Sequence, residues 1–251
     1  MFEPKFTITH TIANALLEIE RARGFLDAAN LNDEWITDMQ SEALILEAHH
    51  STHIEGTQLT LAQAQEILAG KSPQGIRNDD RQELLNYKEA MDFVSGYLGK
   101  ESEITEELIK EIHRILVEDV RGGTLEPGKY RKVQNYVVNS LTGTIIYTPP
   151  PPSKVPRFMT EFAEWLNTGS EISPVLIAGI SQYQFVHIHP FLDGNGRTAR
   201  VLCSLILYQE ICNTTKRTAT RDLTDLVNLG LLERHGEKKG TYYTLKLFEG
   251  Q

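Results

Sequence analysis

"HPFLDGNGRTAR", residues 189–200, places a histidine, an acid, an asparagine between two glycines, and two arginines within twelve positions. Glycine and asparagine favour tight turns, so DGNG predicts a loop. The RTARVLCSLILYQ that follows has helical spacing, with Val201, Leu202, Leu205 and Ile206 expected to face inward. A loop feeding a helix N-terminus presents N–H groups without intrahelical acceptors and the positive end of the helix dipole, so it binds anions. Gly194 and Gly196 let a ligand approach the backbone, and Arg197 and Arg200 add planar charged forks suited to phosphate oxygens. Asp193 suits a hard cation such as Mg2+. His189 is the group of this set whose ordinary pKa lets it take a proton near neutrality. Together these residues point to phosphate-ester chemistry. Metal hydrolysis through His187, His189 and Asp193 ranks below it, because two histidines two apart converge best on a strand and their approach reads as helix.

Upstream of the motif the pattern is mostly helical. Residues 33–53 carry Trp35, Ile36, Met39, Ala43, Leu44, Leu46 and Ala48 near helical spacing, a stripe expected to pack in the core, with Gly56 as the stop. Thr60 and Gln63 form a capping-box pattern for a second helix that Gly70 ends. A polar stretch from Lys71 to Asp80 leads into a helix reaching Tyr97. Thr105 caps the next, in which Leu108, Ile109, Ile112, Ile115 and Leu116 share a face. The rhythm then breaks. VQNYVV and TIIYT are β-rich runs flanking NSLTG, where Gly143 suits a turn with positive φ, and PPPP at 149–152 forces an extended exit. Two helices follow, one with Phe158, Phe162, Trp165 and Leu166, the other capped by Ser173 with Pro174 in its first position and running into His187.

With 251 residues, 40% hydrophobic and 24% charged, the chain can bury a sizeable core and has the composition of a soluble globular protein. No apolar run reaches the length of a membrane span, and no N-terminal segment resembles a signal peptide. Cys203 and Cys212 lie nine apart, which on one helix points them to nearly opposite faces. That spacing argues against a disulfide or metal pair and fits a reducing cytoplasm. A net charge of −9 argues against a general nucleic-acid binder. The charge is uneven: residues 211–251 hold seven Lys and Arg against five Asp and Glu, leaving 18 against 29, or −11, for residues 1–210.

Residues 189–200 resemble the Fic motif throughout, in His189, Pro190, Phe191, Asp193, Gly194, Asn195, Gly196, Arg197 and Arg200. GKYR at 128–131, QN at 134–135, YTPPPP at 147–152 and QYQF at 182–185 agree with it, and the resemblance covers roughly residues 1–210. It implies a mainly α, Fic-type helical bundle with a small β-hairpin flap, and transfer of AMP from ATP to a Ser, Thr or Tyr hydroxyl of a target protein. On that resemblance His189 is the general base and Asp193 holds Mg2+ on the α- and β-phosphates. Gly194, Asn195 and Gly196 form the anion hole, Arg197 holds phosphate oxygens, Arg200 orients the γ-phosphate, and Phe191 anchors the loop. The kinase-like Doc branch is similar but carries lysine at the position of Gly196, which makes kinase activity a secondary reading. A homodimer and AMP removal are further family-based expectations.

In Fic proteins an inhibitory helix carries Ser or Thr, then Glu four residues later, then Gly or Asn. STHIEG at 51–56 is similar to it through Ser51, Glu55 and Gly56, and lies before the catalytic core. A carboxylate offered to Arg200 is a bidentate competitor for the γ-phosphate, so autoinhibition by Glu55 is expected. His49, His50 and His53 look like a metal cluster, but helical spacing aligns only some of them, and they are read as ordinary helix residues. The flap can pair its edge with an extended segment of a protein target.

KRTATRDLTDLVNLGLLERHGEKKGTYYTLK, residues 216–246, resembles the last part of a winged helix-turn-helix, with 218–229 as recognition helix and LLERHG and TYYTLK as wing strands. Only ILYQEICNTT separates it from the motif helix, so terminal Fic helices that help wall the adenine pocket, and the first helices of a winged helix, are missing. The expected organisation is an N-terminal helical region with the inhibitory helix over 1–100, a Fic catalytic core over 101–212, and a partial winged helix over 213–251. A nucleotide-sensing DNA-binding regulator and a catalytically weakened interaction module are the alternatives. The incomplete helix-turn-helix counts against DNA binding.

Overall fold

The computed structural model describes residues 2–29, 31–97, 103–120, 126–139, 141–168, 172–209, 232–235 and 242–245. The chain divides into two compact units, Met1–Ile206 and Leu207–Gln251. The first is mainly helical: α1 (His10–Ala28), α2 (Asp33–Ile54), α3 (Leu61–Leu68), α4 (Asn78–Tyr97), α5 (Glu106–Val117), α6 (Val155–Asn167), α7 (Pro174–Ile188) and α8 (residues 195–209). One antiparallel hairpin, β1 (Val137–Val138) with β2 (Ile145–Tyr147), interrupts them. No described helix is long and apolar enough to cross a membrane.

The helices start where short polar side chains satisfy their first N–H groups. Asn32 accepts from Trp35 N at 2.7 Å, Thr105 accepts from Leu108 N at 3.1 Å, and Thr60 and Gln63 close a full capping box. Ser173 occupies the cap position of α7 without a side-chain hydrogen bond; Pro174, which has no N–H to satisfy, follows it. The core forms where α4 lies against both α2 and α5, while α6 packs on α7. Leu84, Tyr87, Ile109, Ile112, Leu116, Phe162 and Phe185 are fully enclosed there. Val201, Leu202, Leu205 and Ile206 of α8 are buried as their spacing predicts.

One stripe behaves differently. Trp35, Ile36 and Met39 are exposed rather than core residues, and burial in α2 begins only toward its C-terminal end, at Ala48. A helix of 22 residues is about 33 Å long. Among the described residues, the bundle covers only its C-terminal half. The second unit contains an antiparallel ladder of β3 (Leu232–His235) and β4 (Tyr242–Leu245), in the register Leu232 with Leu245 through His235 with Tyr242. These are the two strands expected from LLERHG and TYYTLK. The expected recognition helix, 218–229, and Cys212 lie outside the described residues.

Candidate active site

α7 ends at Ile188, and His189 takes the left-handed conformation at its C-cap, with φ 52° and ψ 59°. The chain turns through a positive φ at Gly194, and Thr198 N donates to Gly194 O at 2.9 Å to open α8. The helix therefore starts at Asn195, inside the DGNG turn and two residues earlier than its composition suggests. Asn195 makes this possible: its amide accepts from Phe191 N and donates to Phe191 O, both at 2.9 Å, closing the loop on itself. Its side chain is thus committed to the loop, and only its backbone remains for an anion. Asn195, Gly196 and Arg197 occupy the first turn, whose N–H groups have no intrahelical acceptor.

The His189 ring sits with Nδ1 3.1 Å from Val186 O. A carbonyl only accepts, so Nδ1 carries the proton and Nε2 keeps its lone pair. Burial, with the nearby Arg131 charge, lowers the His189 pKa against the opposing pull of Val186 O, Asp193 and Glu55, so the neutral base form prevails at neutral pH. Arg197 is fully buried, with Glu83 at 3.3 Å and Asp193 at 3.6 Å, and none of its guanidinium nitrogens has a hydrogen-bond partner among the described residues. This arrangement balances charge without completing the hydrogen bonding of the fork.

Three residues outside the motif hold it in shape. Arg131 is buried, donates from Nε to His189 O at 2.8 Å and from its backbone N to Pro190 O at 2.9 Å, and reaches Val133 O and Pro150 O with its other nitrogens. Asn135 donates to Phe191 O at 3.0 Å. His113 of α5 donates from Nε2 to Asp193 O at 3.1 Å and accepts from Gly128 N at 3.0 Å, stacking on Phe191 with ring centres 3.7 Å apart. Burial pushes its pKa down to about 4, so it stays neutral. Gly194 is required by this packing: a Cβ there would lie 2.8 Å from Val117 Cγ1 and 3.4 Å from the His113 ring.

The last turn of α2 lies against α8. Arg200 Nη2 donates to Glu55 Oε1 at 2.6 Å and to Ser51 O at 3.0 Å, and its Nε donates to Ser51 Oγ at 2.5 Å. Residues 145 positions apart thereby meet. Glu47 adds a second fastening, accepting from Ser204 Oγ at 2.6 Å and Tyr87 OH at 3.2 Å. The turn carrying Glu55 is fixed by His49 Nε2 donating to Leu59 O and His53 Nδ1 donating to Thr57 O, with φ +109° at Gly56. The neighbouring histidines thus brace a turn. No group of three or more His, Cys, Asp or Glu poised for a metal occurs among the described residues.

Residues 16–95 match the model of the Fic/DOC family N-terminal region, and residues 103–207 match that of the Fic/DOC family. The chain belongs to the Fic/DOC family. It is 34% identical over 195 residues to the protein adenylyltransferase Fic of Drosophila willistoni, covering 76% of this chain and 37% of that one. It therefore spans just over a third of the length of the curated relatives it matches. A Fic family protein from Desulfovibrio desulfuricans superposes with a TM-score of 0.69 at 26% identity, over 91% of this chain and 70% of its own. A Fic-domain signalling protein from Bacteroides thetaiotaomicron does so at 0.66 and 29% identity, over 72% and 68%.

Within this Fic/DOC chain, Gly196 has a local reason to be glycine. A Cβ there would sit 2.2 Å from Glu55 Oε1, so the carboxylate lies directly against the backbone that opens α8. Any side chain at 196 would have to displace it. Sequence reading assembled the motif and the Glu55 pair but passed over His113, Arg131, Asn135 and Glu83. The signal for His113 was available: it falls four residues after Ile109 on the buried face of α5, where a histidine must find partners.

Proposed function

We propose that this Fic/DOC chain transfers AMP from ATP to a hydroxyl group of a target protein, and that Glu55 restrains it. The observation that carries this reading is the pairing of a neutral, Nδ1-protonated His189 with a helix N-terminus against which the Glu55 carboxylate lies. The target hydroxyl oxygen attacks the α-phosphorus, the bond from that phosphorus to the bridging oxygen breaks, and pyrophosphate leaves. His189 Nε2 takes the hydroxyl proton. The N–H groups of residues 195–197 and Arg200 stabilise the negative charge on the phosphates. Arg197 acts from beneath the loop, through Asp193, since it is enclosed.

Asp193 fits a Mg2+ site. Its side chain is partly open, and a single carboxylate completed by substrate phosphates is a common way of binding this ion. When bound, Mg2+ would neutralise charge on the α- and β-phosphates. Glu55 competes for Arg200, leaving the γ-phosphate without its orienting partner and the α-phosphorus out of line for attack. We assign residues 1–100 to the inhibitory region, 101–212 to the catalytic core and 213–251 to a partial winged helix. We place the activity in the cytoplasm, where Cys203, whose pKa is raised to about 11 by burial, stays a free thiol.

Mass spectrometry after incubation with ATP and Mg2+ tests the reaction. An adenylyl adduct on a Ser, Thr or Tyr of the chain or of an added target, absent when chelator is present, is the expected result. A phosphoryl adduct would establish the kinase reading in its place.

A further inference from the structure

The last turns of α2 and the first turns of α8 meet in antiparallel steps of four residues. Gly196, Arg200 and Ser204 share one face of α8, while Glu55 at the C-cap, Ser51 and Glu47 share one face of α2. They oppose each other in that order. A Cβ on Gly196 would collide with Glu55 Oε1, Arg200 Nε donates to Ser51 Oγ at 2.5 Å, and Ser204 Oγ donates to Glu47 Oε1 at 2.6 Å. Four residues rise about 6 Å along a helix, so an equal step on both helices keeps the three contacts in register.

The third contact differs from the others in what it uses. Ser51 and Glu55 both hold Arg200, the side chain that the γ-phosphate would claim on the AMP-transfer reading. Glu47 takes its donors elsewhere, from Ser204 and, on α4, from Tyr87 OH at 3.2 Å. Both bonds end on one carboxylate oxygen, so α2, α4 and α8 are joined at a single atom. Tyr87 is fully enclosed, and burial with the Glu47 charge pushes its pKa up, so the hydroxyl stays protonated and donates. Glu47 stands eight residues before Glu55, about 12 Å along the helix.

We infer that Glu47 is a positioning residue for the restraint: through Ser204 and Tyr87 it sets the register of α2 on α8, and with it how well Glu55 competes for Arg200. A nucleotide that takes Arg200 breaks the contacts made through that side chain and leaves the Glu47 tether in place. Glu55 then stays at high local concentration beside Arg200, and the restraint returns when the nucleotide leaves. The effect on transfer rests on the reading of Glu55 as the restraint; the seating of α2 on α8 does not.

Two measurements on the intact chain test this: hydrogen exchange over residues 44–56, read by mass spectrometry, and AMP transfer from labelled ATP. Glu47→Ala, Glu47→Gln and Ser204→Ala are each compared in the parent and in the Glu55→Gly background. Glu47→Ala should raise exchange over residues 44–56 by about tenfold or more, the worth of one hydrogen bond to a charged acceptor, while α5 exchanges as before. Transfer should rise on the order of tenfold in the parent background and by less than about twofold in Glu55→Gly, where no carboxylate is left to position. Ser204→Ala, which removes only the α8 half of the contact, should shift both readouts in the same direction by less. Glu47→Gln keeps an acceptor oxygen and should stay within about threefold of the parent.

Unchanged exchange and transfer in Glu47→Ala would overturn the inference. So would an equal rise of transfer in both backgrounds, which would place Glu47 in catalysis rather than in the restraint. Exchange that rises equally in α2 and α5 would also overturn it, since the residue would then only hold the fold. Faster exchange over residues 44–56, with no gain of transfer in Glu55→Gly, would keep the tether and sink the restraint by Glu55. A gain in Glu55→Gly, with no response to Glu47→Ala or Ser204→Ala, would do the reverse.

Discussion

The loop at 189–200 and the flap at 133–148 stand next to each other and are built on opposite principles. In the loop the carbonyls of His189, Phe191 and Asp193 are held by side chains from elsewhere in the fold. These are Arg131, Asn135 and His113, while Asn195 bridges the loop's ends and Phe191 is buried between aromatic rings. The flap bonds its own turn and its two ends, then leaves its apolar side chains in solvent. These bonds fix the shape of the loop, because leaving its buried carbonyls unpaired would be costly. The flap can offer an adaptable surface because its outward apolar side chains lie in solvent. On the proposed function, the loop carries the chemistry and the flap stands where a target would approach.

Removing the base should have the largest effect on this division. His189→Ala should lower AMP transfer by about 10²- to 10⁴-fold, with folding and ATP binding kept, in a labelled-ATP assay. Arg131→Met attacks the loop's support instead. It leaves the carbonyls of His189, Val133 and Pro150 unpaired, so we expect a loss of about 3 kcal/mol in urea unfolding and on the order of 10²-fold in transfer. It also removes a positive charge near His189, which raises that pKa. The acid limb of the pH–rate profile should therefore move to higher pH, a change that a merely destabilised protein would not show.

An effect on stability of similar size, but confined to acid pH, comes from His113. Its pKa falls from 6.5 to about 4 on folding, so between those values the unfolded chain binds more protons than the folded one. Stability should then be full above pH 6.5 and fall by about 3 kcal/mol as pH drops toward 4. His113→Gln should flatten that slope in urea titrations run across the window. Leu141→Ser should have the least effect on the fold, within about 0.5 kcal/mol, because the side chain touches little.

The same contrast explains what could be read in advance. The caps at Thr60 and Thr105, the apolar stripe of α5 and the hairpin around Gly143 are local, and local spacing announces them. The Glu55–Arg200 pair spans 145 positions and was legible only because both residues belong to a family pattern. Arg131 and Asn135 lay in quoted fragments, but a side chain that bonds backbone carbonyls over fifty positions away leaves no periodic trace. Trp35, Ile36 and Met39 show the converse failure. Helical spacing states which residues share a face and says nothing of what covers it, and here the described bundle stops short of them.

The central claim is that Glu55 restrains a competent adenylyltransferase by holding Arg200. It is tested most directly by AMP transfer from labelled ATP, measured side by side in the parent, Glu55→Gly and the Glu55→Gly/His189→Ala double variant. Both members of the pair are about one-fifth exposed, so its loss should cost the fold on the order of 1 kcal/mol. Activity should rise on the order of 10²-fold in Glu55→Gly, with a nearly unchanged melting temperature, and vanish in the double variant. A folded Glu55→Gly variant that binds ATP as the parent does yet transfers AMP no faster would contradict the account, as would a double variant that retains the gain.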